Sequence, residues 1–284
     1  MGKKVVKKIA MGVLALTCTF GCIGTFTACD DGNPEARIVL EFNGQEYTLN
    51  YELYKDRTPK TVNHFMWLVD NNYYDGLCVH NLQTASNRLY TGAYSLDASG
   101  NLEYKDYYVF VKPKQDFAHS VWRDSEKETP LYTLYGEFKE NGFNVGQNNR
   151  DALKEEYGSL VMYYHAKTDA GEAYVLNPNG SETPIKKDYT YNSATSMFYI
   201  STVETSKVNE STCTFATLKN KDVLESLQES IIEYMDGKDE DEFVTSTTVM
   251  KEPGDIIVGN QQLEVTYKVP NESIVIKSAR ITKY

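Results

Sequence analysis

The stretch from Tyr54 to His80, YKDRTPKTVNHFMWLVDNNYYDGLCVH, constrains this chain most, because a helix start, a helix face and a helix stop all fall inside it. Thr58 is a good N-cap. Pro59 suits the first helical position, where its missing N–H has no intrahelical partner and its φ is already helical. Val62, Phe65, Met66 and Val69 recur at i, i+3, i+4, i+7 and predict one buried face, with Lys60, Asn63 and Asp70 turned to water. Asn71-Asn72 and Asp75-Gly76 end the helix. Upstream, Ile38–Phe42 and Glu46–Leu49 alternate around Asn43-Gly44, a type I′ turn signal, so the spacing predicts a hairpin feeding a capped helix.

Beyond this opening, alternating segments such as Met197–Ser201 and Leu263–Val269 outnumber helical ones. Only 59–71 and 221–234, the latter with Val223, Leu224, Leu227 and Ile231 on one side, read as helices. Many strands with two helices predict a mainly β fold, an antiparallel sheet closed into a barrel and capped by helices.

The hairpin-then-helix order, the start TPKTVNHF (58–65) and the exit Tyr73-Tyr74-Asp75-Gly76 leading to His80 resemble the opening of the cyclophilin family of peptidyl-prolyl isomerases. Further blocks follow in that family's order: LYGEFKENGF (134–143), YGSLVM (157–162), NSATSMFYIS (192–201), FATLKNKDVLESLQ (215–228) and SIVIKSARI (273–281). The resemblance spans Arg37 to Tyr284. It implies a cyclophilin-like closed antiparallel β-barrel capped by two helices over 37–284, with β-rich insertions at about 94–133, 166–191 and 233–262. Within the second insertion, Asn177-Pro178-Asn179-Gly180 lies between two apolar runs and reads as an extra hairpin.

The resemblance also carries a chemistry. Rotation about an X–Pro bond crosses a barrier of about 20 kcal/mol because amide resonance is lost in the twist. In this family an apolar pocket holds the proline ring while an arginine just after the histidine donates to the twisted state, with no cofactor and no covalent step. Here that position is Asn81, a neutral amide on a short stem. The family's backbone-binding glutamine aligns with Met197, its pocket phenylalanine with Tyr199, and its Ala-Asn pair with Tyr163-Tyr164. No catalytic residue is intact by this alignment. The peptide-groove candidates are Asn81, Tyr163, Tyr164, Met197 and Tyr199. Arg88 reads as an exposed loop arginine, a swing into the cleft being the alternative.

Residues 1–28 carry Lys3, Lys4, Lys7 and Lys8 and then an apolar run, ending in Phe26-Thr27-Ala28-Cys29. This resembles a bacterial lipoprotein signal with its lipobox, which implies lipidation at Cys29, a linker over 29–36 and an extracytoplasmic, membrane-anchored domain. An uncleaved membrane anchor is the alternative, and Thr19-Phe20-Gly21-Cys22 is a poorer second lipobox.

Beyond the leader only Cys78 and Cys213 remain besides Cys29. Both lie in apolar strands and read as small core residues. No Cys-x-x-Cys pair and no grouped histidine is present, so no structural metal is expected. The acidic run Asp239–Glu242 lacks the alternate ligand spacing of a calcium loop and reads as a solvated loop. Four of the 29 basic residues and none of the 40 acidic ones lie in the leader, so the rest carries 25 against 40, a net −15. That balance argues against a nucleic-acid partner.

Three functions follow. The first is an exported isomerase acting on proline-containing or extended polypeptide, as a monomer. The second is an inactive peptide-binding relative. The third, prompted by 22 tyrosines including Tyr73-Tyr74, Tyr107-Tyr108 and Tyr163-Tyr164, is a carbohydrate- or small-molecule-binding surface protein.

Overall fold

The computed structural model describes residues 32–83, 88–141, 153–164, 172–177, 181–188, 193–205, 207–209, 211–249 and 264–284. The leader, Cys29 and the Pro253-Gly254 turn lie outside these residues. Asn33–Tyr284 forms one compact unit.

In chain order, β1 (Glu35–Phe42) and β2 (Gln45–Leu53) lead into α1 (Pro59–Asp70), followed by β3 (Asn81–Gln83) and β4 (Arg88–Thr91). The first insertion holds β5 (Tyr94–Leu96), β6 (Leu102–Tyr104), the short helix α2 (Tyr107–Val111), β7 (Val121–Trp122) and β8 (Pro130–Leu131). Next come β9 (Leu134–Tyr135), β10 (Leu160–Met162), β11 (Glu172–Val175), β12 (Ile185–Asp188), β13 (Ser193–Ala194), β14 (Phe198–Ser201) and β15 (Cys213–Leu218). The chain ends with α3 (Lys221–Met235), α4 (Glu240–Phe243), β16 (Val244–Val249), β17 (Val265–Pro270) and β18 (Ile274–Lys283).

Eight strands form one antiparallel sheet in the order β18-β1-β2-β15-β10-β14-β4-β3. Its two edges meet through the residues just ahead of β3. Gly76 N–H donates to Ile276 O, Ile276 N–H to Leu77 O and Val79 N–H to Ile274 O, at 2.7 to 2.8 Å. The sheet curls into the barrel that the pattern predicts. Alternation explains its filling, since Ala36, Ile38, Leu40 and Phe42 of β1 and Tyr47, Leu49, Tyr51 and Leu53 of β2 all turn inward. The β1–β2 turn is type I′ in conformation, with Asn43 at φ 50° and Gly44 at φ 75°. Helix α1 packs on β18 and α3 on β2. Phe65 of α1 sits between Tyr74, Phe198 and Phe215, at centroid distances of 5.1 to 5.7 Å, and burying such a ring contributes about 2 to 3 kcal/mol.

The start of α1 differs from its sequence reading. Thr58 occupies the N-cap position, but its hydroxyl makes no cap bond; it donates to Tyr54 O at 3.4 Å. The cap comes from Glu137, whose carboxylate accepts the backbone N–H of Lys60 (3.2 Å) and of Thr61 (2.8 Å). Those first-turn N–H groups have no intrahelical acceptor, and an anion there also meets the positive end of the helix dipole. Glu137 is buried, and burial raises its carboxyl pKa against the lowering effect of these bonds.

The first two insertions join each other. β11 pairs with β12 as a hairpin, and its other side pairs with β7, where Tyr174 lies opposite Trp122 and Val175 opposite Val121. With β8 these make a separate four-stranded sheet. The acidic run opens a helix: Asp239 N–H donates to the Glu242 carboxylate at 2.8 Å in a capping box for α4. The solvated-loop reading of that run is corrected on this point. Cys78 and Cys213 are buried and free, and burial pushes both thiols up to about 12.

Candidate functional site

The residue after the histidine, Asn81, opens β3. It pairs with Tyr90 of β4, Tyr90 pairs with Tyr199 of β14, and Tyr199 with Val161 of β10. Paired residues share a face, and the next residues along, Leu82, Leu89 and Ile200, point into the barrel core, so Asn81, Tyr90 and Tyr199 form a row on its outside. The Tyr90 ring lies 5.1 Å from Tyr199 and 5.9 Å from Tyr163. Met197, two residues before Tyr199, shares a cluster with Tyr163. Four of the five groove candidates are thus brought together. Tyr164 is not among them: it packs into the barrel core 5.2 Å from Phe138, because alternation turns it away from its neighbour.

The Asn81 end of this row is covered. Strand β17 lies along β3, and the Lys268 backbone N–H donates to the Asn81 side-chain oxygen at 2.9 Å. Tyr267 packs 4.9 Å from His80 and 5.7 Å from Tyr94, in a cluster with Cys78, Ala93, Met197 and Val269. Asn81 is 6% exposed and Met197 2%. Gly92 fits this packing only as glycine, at φ 98° with an added Cβ meeting Ser196 O at 2.4 Å. Sequence reading placed β17 as a strand without its resting place, since contacts 187 residues apart leave no local pattern.

At the far end of the row, Arg88 corrects its expectation. It is a strand residue whose Nε donates to Glu155 Oε1 (3.0 Å) and Nη2 to Oε2 (2.8 Å), a bidentate fork. Its guanidinium stacks 4.6 Å over the Tyr199 ring. The Glu155 side chain is 1% exposed and also accepts from Ser201 Oγ at 2.8 Å. Burial works against the guanidinium charge, but the bonds to Glu155 outweigh it and raise the Arg88 pKa. Burial raises the Tyr199 phenol as well, reinforced by the Glu155 charge. The Nε and Nη2 donors are committed to Glu155. Glu155, in the run Leu153-Lys154-Glu155-Glu156, carries no motif that sequence reading singles out.

Two of the three tyrosine doublets lie inside. Tyr73, Tyr74, Tyr107 and Tyr108 are buried core residues, so these doublets form no exposed patch.

An antiparallel barrel carrying α1 and α3, with an outer row that starts just after the histidine of the Tyr-Asp-Gly exit, defines a cyclophilin-like fold. The family model described as cyclophilin type peptidyl-prolyl cis-trans isomerase/CLD matches residues 37–252, and the chain belongs to this family. Among solved structures, the chain is similar to a cyclophilin type peptidyl-prolyl cis-trans isomerase of Cryptosporidium parvum, at 14% identity and a TM-score of 0.42, over 88% of this chain and 98% of that one. The same protein in the presence of the dipeptide Ala-Pro matches at 15% identity and a TM-score of 0.41, over 88% and 99%. No curated protein matches the chain.

Proposed function

We propose that this cyclophilin-family chain is an extracytoplasmic lipoprotein, anchored through Cys29, that acts as a peptide-binding module and does not accelerate X–Pro rotation. The observation that carries the reading is the Asn81–Lys268 bond: where the family places a donor arginine, this chain has a buried amide oxygen acting as acceptor to its own β17. A short neutral amide tied in this way offers no charged donor to a twisted peptide bond. Arg88 does not replace it, because its fork is held by Glu155. An extended polypeptide reaches the outer row by displacing β17, which itself ends in the extended pair Val269-Pro270.

The test is a proline-isomerisation assay on residues 30–284 with an X–Pro peptide panel, run beside peptide binding. The native domain is expected to leave the uncatalysed rate unchanged, and Tyr267→Ala, which thins the cover, to bind proline peptides more tightly. Acceleration by the native domain that is lost in Arg88→Ala would show an isomerase with a relocated donor. Anchoring is read separately, as incorporation of labelled palmitate in a bacterial host that is abolished by Cys29→Ser.

A further inference from the structure

Away from the barrel row, a cleft of about 300 Å³ opens between α1 and residues 117–120 of the first insertion. Helix α1 contributes Lys60, Asn63, His64 and Trp67, and the insertion contributes Phe117, Ala118, His119 and Ser120. The walls are aromatic and mutually braced. Phe117 lies edge-on to Trp67 at 5.1 Å and to His64 at 5.6 Å, and 5.3 Å from His119. Trp67 Nε1 donates to Asp116 at 3.1 Å, which fixes the indole plane. Lys60 is the charged side chain of the lining, and among the described residues no acidic side chain joins it.

Two polar groups in this apolar setting are unaccounted for. Ser120 is 6% exposed, and its hydroxyl has no hydrogen-bond partner among the described residues; the same holds for His119 Nδ1. Buried polar groups are ordinarily paired, and an unpaired one is unfavourable. The neighbouring His64 spends its Nε2–H on Thr195 O at 2.7 Å and is part of the wall. Burial lowers the pKa of both imidazoles, so both stay neutral at pH 7.

We propose that this cleft is a binding site for a one- or two-ring aromatic group bearing a neutral hydrogen-bonding substituent, the ring held edge to face by Trp67 and Phe117 and the substituent by Ser120 and His119. The volume lies at the small end of ligand pockets, which suits a phenol or an indole. Aromatic walls favour an aromatic guest through ring quadrupoles. The guest is either a free small molecule or a tyrosine side chain of a polypeptide. The site is independent of the barrel row and stands or falls apart from the function proposed above.

The chain has two tryptophans, so Trp122→Phe in the compact unit 33–284 leaves Trp67 as the reporter inside the cleft. Its emission is titrated with p-cresol, with toluene as the apolar counterpart and with the peptide Ala-Ala-Tyr-Ala-Ala, and circular dichroism verifies the fold of every variant. p-Cresol is expected to give a saturable change. Ala118→Phe, at an exposed position of the cleft wall, should weaken it at least tenfold by occupying the space while Trp67 stays the reporter. Ser120→Ala should weaken p-cresol about fivefold, the worth of one neutral hydrogen bond, and leave toluene unchanged. Tighter binding of the peptide than of p-cresol assigns the site to polypeptide tyrosine, and the reverse to a free phenol. A non-saturable p-cresol titration, or p-cresol binding that Ala118→Phe and Ser120→Ala leave intact in folded protein, overturns the proposal.

Discussion

Glu137 Oε2 accepts both the backbone N–H of Thr61, at 2.8 Å, and its side-chain hydroxyl, at 2.9 Å, so one buried carboxylate from the Gly-Glu-Phe segment holds the start of α1 from 76 residues away. Removing it as Glu137→Ala strands the Lys60 and Thr61 N–H groups and the Thr61 hydroxyl. The expected loss is about 3 kcal/mol in urea unfolding followed by circular dichroism. Thr61→Val, which removes only the hydroxyl, should cost about 1 kcal/mol. Equal losses for the two variants would mean that the backbone cap carries nothing.

The Arg88–Glu155 pair is expected to behave as a buried ion pair. Arg88→Met leaves a carboxylate that is 1% exposed without its partner and should cost about 3 to 5 kcal/mol. The double variant Arg88→Met, Glu155→Met should recover more than half of that, because neither charge is then left buried. A double variant as unstable as the single one would show that the Glu155 carboxylate matters mainly to Ser201 and Tyr199, whose hydroxyls also donate to it.

Restoring the family's residue should not restore its chemistry. Asn81→Arg puts a long charged side chain where 6% of the residue is exposed, and takes the acceptor from Lys268 N–H. The expected result is destabilisation by about 2 to 3 kcal/mol with no gain in proline isomerisation. A stable and active Asn81→Arg protein would show that β17 yields readily and that a single residue separates this chain from an isomerase.

His64 should give the stability a pH dependence. Burial lowers its pKa from 6.5 to about 4 in the folded protein, while the unfolded chain takes up the proton near 6.5. The stability of neutral His64 is therefore full above pH 6.5 and is lost as pH falls from 6.5 towards 4, by about 3 kcal/mol in total. Unfolding free energy measured across that window should fall for the native protein and fall less steeply for His64→Gln, where His119 is the remaining imidazole lowered by burial. Parallel curves would assign the acid sensitivity elsewhere.

What the sequence by itself determined lies within short windows: the Asn43-Gly44 turn, the apolar face of α1 through Val62, Phe65, Met66 and Val69, the face of α3 through Leu224, Leu227 and Ile231, and with the ordered blocks the family. These are legible because a turn needs particular φ values at adjacent residues, and because a helix or strand repeats its buried side every few positions. The tertiary structure decided what meets across long loops. It replaced the Thr58 cap by Glu137, closed Arg88 onto Glu155 from 67 residues away, joined the two insertions through β7 and β11, and laid β17 over Asn81. Each of these pairs a donor with an acceptor, or one sheet edge with another, that many other segments of the chain offer equally well. Which ones meet is set by the packing of the whole barrel rather than by any pattern near the residues themselves.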